Sequence, residues 1–93
     1  MPTFANDPLS LAISDFLLDR QARNQTPATL AWYRRCVAKW RDFLLTQNVA
    51  QIEEVTPAHV RRFLVYLAES GHSQGGIVTL FTGVKAFLRW YGE

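Results

Sequence analysis

The sequence predicts an all-α fold, a compact bundle of four helices. Three observations carry that prediction. Helix-start signals of one kind recur at Asp7-Pro8, Thr26-Pro27 and Thr56-Pro57, a capping side chain followed by a proline suited to the first turn. Apolar residues after each signal repeat at the i, i+3, i+4 spacing of one helical face. The connections between these stretches are short, and no stretch reads convincingly as a strand.

The helices follow in order. Residues 1–6 read as a loose lead-in. The first helix is expected over residues 8–23, with Leu9, Ala12, Ile13, Phe16 and Leu17 as its buried stripe. Asp15, Asp19 and Arg23, spaced by four, share a solvent-facing stripe. After the short link Asn24-Gln25 comes the longest helix, residues 26–47. Leu30, Tyr33, Val37, Trp40 and Leu44 point inward, and Arg34, Arg35, Lys39 and Arg41 lie between them. Residues 47–55 read as a loop that tucks Val49, Ile52 and Val55 against the core. A strand there has nothing nearby to pair with. The third helix is expected over residues 57–70, with Val60, Phe63, Leu64 and Leu67 inward, and Gly71 stops it in a left-handed conformation. Ser73 caps a fourth helix over residues 74–90. Its broad apolar face carries Ile77, Leu80, Phe81, Val84, Phe87, Leu88 and Tyr91, and Thr79, Thr82, Gly83, Lys85, Ala86 and Arg89 fall mostly on the other side. Gly75-Gly76 in its first turn lets another backbone approach closely. Tyr91-Gly92-Glu93 reads as the start of a linker.

Ninety-three residues, 48% hydrophobic and 13% aromatic, suffice for one domain with one core and no covalent staples. The net charge of +2 is weakly basic, but it is unevenly placed. Residues 26–47 hold four cations against Asp42, a net +3, which leaves −1 for the rest. On charge alone, a solvated helix face and a face for an anionic partner read equally well.

Enzyme signals are sparse. The one cysteine, Cys36, has no internal disulfide partner and reads as a small core filler. Neither His59 nor His72 is linked to it by any motif. No metal-ligand spacing, phosphate-loop glycine pattern or cofactor signature is present. The reading is no catalytic residue, no metal and no cofactor. A reducing, cytoplasmic setting fits a lone cysteine, and no apolar run approaches the roughly 20 residues that span a bilayer.

The stronger signal combines helix starts with cations. Free N–H groups at a helix N-terminus favour phosphate. Thr26 and Thr29 stand beside one such end, and Ser73 beside another. Arg35 and Lys39, spaced i, i+4, project together from the inward stripe, and Trp32 lies on the Arg35 side. Trp32 reads either as packing on the first or third helix or as an exposed ring for a sugar, a base or a second protein domain. Lys85 and Arg89 form a second i, i+4 pair. If the second and fourth helices cross, the two pairs straddle a nucleic-acid backbone.

The order of these features resembles the N-terminal core-binding domain of tyrosine recombinases and phage integrases, the SAM-like module of Xer-type proteins. The residues that carry the resemblance begin with the helix ending near Arg23, Thr26-Pro27-Ala28-Thr29 and Tyr33-Arg34-Arg35. Trp40, Phe43-Leu44, Val55-Thr56-Pro57, Phe63-Leu64, Gly71-His72-Ser73 and Val84-Lys85-Ala86-Phe87-Leu88 follow in order. The resemblance implies a compact orthogonal SAM-like four-helix bundle that clamps double-stranded DNA at a recombination site. It implies that strand exchange, for recombination or integration, belongs to a separate C-terminal catalytic domain of the same chain. That domain's Arg…His-x-x-Arg…Tyr set is not in this sequence. Further partners it implies are neighbouring recombinase protomers on DNA, and it implies no membrane. By the same resemblance the DNA-binding set is Thr26, Thr29, Trp32, Arg34, Arg35, Lys39, Ser73, Thr79, Thr82 and Lys85. Two positions depart from the family pattern. Cys36 stands where an acid is common, and Gly75-Gly76-Ile77-Val78 replaces a polar, often arginine-bearing helix start. A helical protein-interaction or oligomerisation module, with Trp32, Tyr66 and Trp90 as exposed anchors, is the alternative.

Overall fold

The computed structural model describes residues 7–92, and the expected lead-in over residues 1–6 lies outside them, as does Glu93. The helices are α1 (Pro8–Ala22), α2 (Pro27–Thr46), α3 (Pro57–Glu69) and α4 (Gln74–Gly92), with one 3-10 turn at Ile52–Glu54. The described residues contain no strand, so the fold is all-α as expected. The loop expected over residues 47–55 contains that single turn. Glu54 makes it by reaching back to the backbone N–H groups of Ala50 and Gln51. Tyr91 and Gly92 continue α4 and do not open a linker.

The start signals work as local chemistry dictates. Asp7 accepts a hydrogen bond from the Ser10 N–H at 2.9 Å, and Thr26 accepts one from the Thr29 N–H at 3.2 Å. At α3 the reciprocal bond comes from His59, whose Nδ1 accepts from the Thr56 N–H at 3.0 Å.

α2, at 20 residues, is about 30 Å long. The described residues fit within 34 × 30 × 29 Å, nearly equal in all directions. Aligned helices of this length would make an elongated rod, so the helices must run in different directions, as an orthogonal bundle requires. One core joins Leu9, Ile13 and Phe16 of α1, Val37, Trp40 and Leu44 of α2, Phe63 and Leu67 of α3, and Val84 and Phe87 of α4. Val49 and Ile52 close it from the connecting segment. Phe16 is at its centre, edge-on to Tyr33, Phe87 and Trp90 at 5.4–5.5 Å.

α4 packs most extensively on α2. The reason is Gly83, which is buried where the sequence pattern set it on the polar side. A Cβ there would lie 2.6 Å from both Cβ and Sγ of Cys36. Two small residues thus face each other and let the two helices meet closely. A pattern of apolar side chains cannot report a contact made by a missing one. The close approach expected at Gly75-Gly76 is therefore at Gly83. Gly75 has nothing within 4 Å of an added Cβ, and Gly76 has only the Ser73 hydroxyl.

Candidate functional site

The packing of α2 on α4 leaves an open groove along one edge of the pair. From α2 come Trp32, Arg35, Ala38, Lys39 and Asp42, and from α4 come Gly75, Gly76, Thr79 and Leu80. His72, in the turn before α4, sits between them. Arg35, His72 and Leu80 line both halves, which makes the groove continuous.

Each side chain has a local reason for its place. Arg35 and Lys39 share one α2 edge by their i, i+4 spacing. Neither is engaged in an ion pair among the described residues, where all three ion pairs involve Asp19 or Asp42. Asp42 also lines the groove, but its Oδ1 is held by Arg41 at 3.0 Å. Trp32 is half-buried. Its ring lies 4.9 Å from that of Tyr33, and its Cη2 borders Gly83, so it packs against α4. Its remaining face borders the groove beside Arg35.

His72 reaches the groove through the end of α3. Gly71 has φ +92°, and the His72 N–H returns to the Leu67 carbonyl at 3.2 Å. His72 Nδ1 also faces the Leu67 carbonyl at 3.2 Å. A carbonyl only accepts, so Nδ1 carries a proton and Nε2 is left for another partner. The turn then places Ser73 as the cap of α4, its Oγ accepting from the Gly76 N–H at 3.0 Å. An added Cβ at Gly75 would meet nothing within 4 Å, so this helix start is open on that side.

The expected site residues thus divide. Trp32, Arg35, Lys39 and Thr79 come together on the groove, and Ser73 caps the helix that opens it. Thr26 and Thr29 are engaged with each other at the start of α2, hydroxyl to hydroxyl at 2.9 Å. Arg34 is exposed but does not line the groove. The Thr79 and Thr82 hydroxyls donate to the carbonyls of Gly75 and Val78, which leaves them as acceptors. Lys85 lies over the Phe81 ring at 5.5 Å. Arg89, expected to straddle a backbone with Lys85, instead lines a separate groove with Arg20, Arg23 and Trp90. His72 and the two glycines were missed as site residues. The Gly71 stop was the available signal for His72, because a left-handed residue turns the next side chain back onto its helix.

The other candidate chemistry is structural. Cys36 is fully buried, and burial pushes its thiol above the ordinary range against the opposing effect of Arg35. Such a thiol is a poor nucleophile. Among the described residues, no group of three or more His, Cys, Asp or Glu is placed to hold a metal ion. No described helix is long and apolar enough to cross a membrane.

Fold and groove together define a small orthogonal all-α domain with a cationic, aromatic-edged cleft beside a helix N-terminus. The phage integrase N-terminal, SAM-like domain has a sequence model that matches residues 13–92. The chain belongs to that family. No curated protein and no solved structure gave a match.

Proposed function

We propose that the chain is the DNA-binding domain of a site-specific tyrosine recombinase. On this reading it holds one side of a duplex, and a separate catalytic domain carries out strand exchange. One observation carries the reading: Arg35 and Lys39, two cations without an ion pair among the described residues, share a groove with the N-terminus of α4. Cations and free N–H groups are both phosphate ligands, and phosphate contacts supply most of the affinity of such domains. Trp32 and the Thr79 hydroxyl oxygen are the groups in the groove suited to a sugar or base edge. With few cations per domain, binding by this chain alone is weak and salt-sensitive, and a second linked domain raises affinity by effective concentration. Neighbouring protomers on the same DNA belong to this reading too.

The test is titration of duplex DNA at low and moderate salt. Arg35→Glu with Lys39→Glu is expected to weaken binding at least about tenfold and to reduce the salt slope by about two contacts' worth. Unchanged affinity in the double variant sinks the reading of this face.

An interaction module without DNA binding has one observation in its favour. A second groove, between α2 and α3, is lined by Phe43 with exposed Val65 and Tyr66. Trp32 and Trp90, its other expected anchors, are largely engaged with the chain's own Tyr33 and Phe16. Self-association at micromolar concentration, lost in Tyr66→Ser and indifferent to DNA, is the outcome that favours this module.

A further inference from the structure

We infer that the groove between the C-terminal ends of α1 and α4 is a second anion site, built for a phosphate group. It is lined by Arg20, Arg23, Ala86, Arg89 and Trp90. Three arginines therefore line one groove, and among the described residues the acid paired with them is Asp19, a net charge of +2.

The cluster is organised before any ligand arrives. One oxygen of Asp19, Oδ2, accepts from Arg20 Nη2 at 2.9 Å and from Arg23 Nε at 3.1 Å. That holds the Arg20 and Arg23 guanidiniums, yet uses only one of the five N–H donors on each. Arg20 is held further by the Phe16 ring, 5.1 Å below its Cζ, and its side chain is only 17% exposed. Its buried Nε has no hydrogen-bond partner among the described residues. Arg89, on the facing wall, is exposed and has no ion pair among the described residues. Helix dipoles explain a cation near each C-terminus. They do not explain three arginines lining one groove with, among the described residues, a single carboxylate paired to them.

The chemistry selects a phosphate. Planar guanidiniums bind phosphate oxygens through paired N–H donors, and the excess of two positive charges matches an oxyanion that carries one or two negative ones. The groove, about 210 Å³, has room for such a group with several waters at about 30 Å³ each. It lies some 13 residues along α4 from Gly76, about 20 Å, and so is separate from the α2–α4 groove. The phosphate has two sources, a duplex backbone or a free polyphosphate. Only the first rests on the DNA reading above.

The experiment has two arms, both on the whole 93-residue chain. In the first, inorganic pyrophosphate is titrated while the arginine Nε–Hε resonances are followed by NMR. The signals of Arg20, Arg23 and Arg89 should shift along one saturating curve. The surface variant Arg23→Ala with Arg89→Ala, its fold checked by the amide spectrum, should bind about tenfold more weakly or worse. No saturation at millimolar pyrophosphate, or equal affinity in the variant, overturns the site. In the second arm, duplex DNA replaces pyrophosphate. A fall in the salt slope by about two contacts in the variant assigns the site to the backbone. Pyrophosphate binding with unchanged duplex affinity keeps the site and overturns the duplex as its source. Loss of duplex binding in Arg35→Glu with Lys39→Glu, with neither arm altered by the arginine variant, overturns this inference and leaves the DNA reading standing.

Discussion

Asn24, Asn48 and Gly71 hold equivalent positions one residue past the caps of α1, α2 and α3, with φ of 62°, 61° and 92°. Each is followed by an N–H that returns to the helix, Gln25 to Arg20, Val49 to Leu44 and His72 to Leu67. Three helices therefore stop by one mechanism. Only Gly71 was legible as such a stop. Asparagine tolerates the left-handed region but also fills ordinary turns, so its type alone does not announce a stop. A second contact at this scale joins distant parts of the chain. The Tyr91 hydroxyl donates to a Glu53 carboxylate oxygen, tying the end of α4 to the 3-10 turn. That bond holds the Glu53 carboxyl below its ordinary range, and the same bond, aided by burial and the Glu53 charge, raises the Tyr91 phenol. The signs follow. For Glu53 the contribution is present above the unfolded carboxyl range and is lost as pH falls through the lowered folded value. For Tyr91 it is present below the ordinary phenol range and is lost as pH rises through the raised one. The clasp thus acts across neutral pH and fades at both ends. Both groups are exposed, so the direction is the readable quantity. In Tyr91→Phe the Glu53 carboxyl should titrate at a higher pH than in the parent, followed by its side-chain carbon resonance. An unmoved Glu53 titration would show that the bond is not populated.

At the scale of elements, Gly83 decides how α4 meets α2. An added methyl is driven into Cys36 at 2.6 Å, closer than side-chain carbons tolerate. Gly83→Ala should destabilise the fold by about 1–3 kcal/mol, the usual cost of overpacking, read from urea denaturation. The same alanine raises intrinsic helix propensity, so stabilisation would mean that α4 is not held against Cys36. Adding Cys36→Gly should recover part of the loss, because the clash is with both Cβ and Sγ. This contact also marks the limit of pattern reading. Val37, Trp40, Leu44, Phe63, Leu67, Val84 and Phe87 were legible as core because a large apolar side chain at helical spacing has few other uses. α1 shows the converse. Leu11 and Leu18 are 50% and 65% exposed on a helix whose apolar residues run nearly all round, so apolarity alone does not mark its buried face, which is Leu9, Ile13 and Phe16 with Ala12 and Leu17 packed beside them.

At the scale of the whole molecule, the two cationic grooves flank opposite ends of α4, and each holds one tryptophan. Trp32 borders the Arg35 side of one, and Trp90 borders the Arg20, Arg23 and Arg89 side of the other. Trp40 is fully buried in the core between them. Arg35, Lys39 and Trp32 were legible as a group because they share one helix and one period. The Arg20, Arg23 and Arg89 group was not, because only tertiary packing brings α1 and α4 together, and the Arg89 spacing pointed to Lys85. The arrangement supplies a spectroscopic test of how much of the surface a ligand covers. If a duplex spans both grooves, its binding should change the fluorescence of Trp32 and Trp90 and leave Trp40 unaffected. Trp32→Phe should then remove one part of the change and Trp90→Phe the other, while both variants keep the shared Trp40 signal of an intact core. A change that vanishes entirely in Trp32→Phe confines the duplex to the α2–α4 groove. A change that survives both substitutions places the ligand against neither, and the proposed orientation of the domain on DNA then fails.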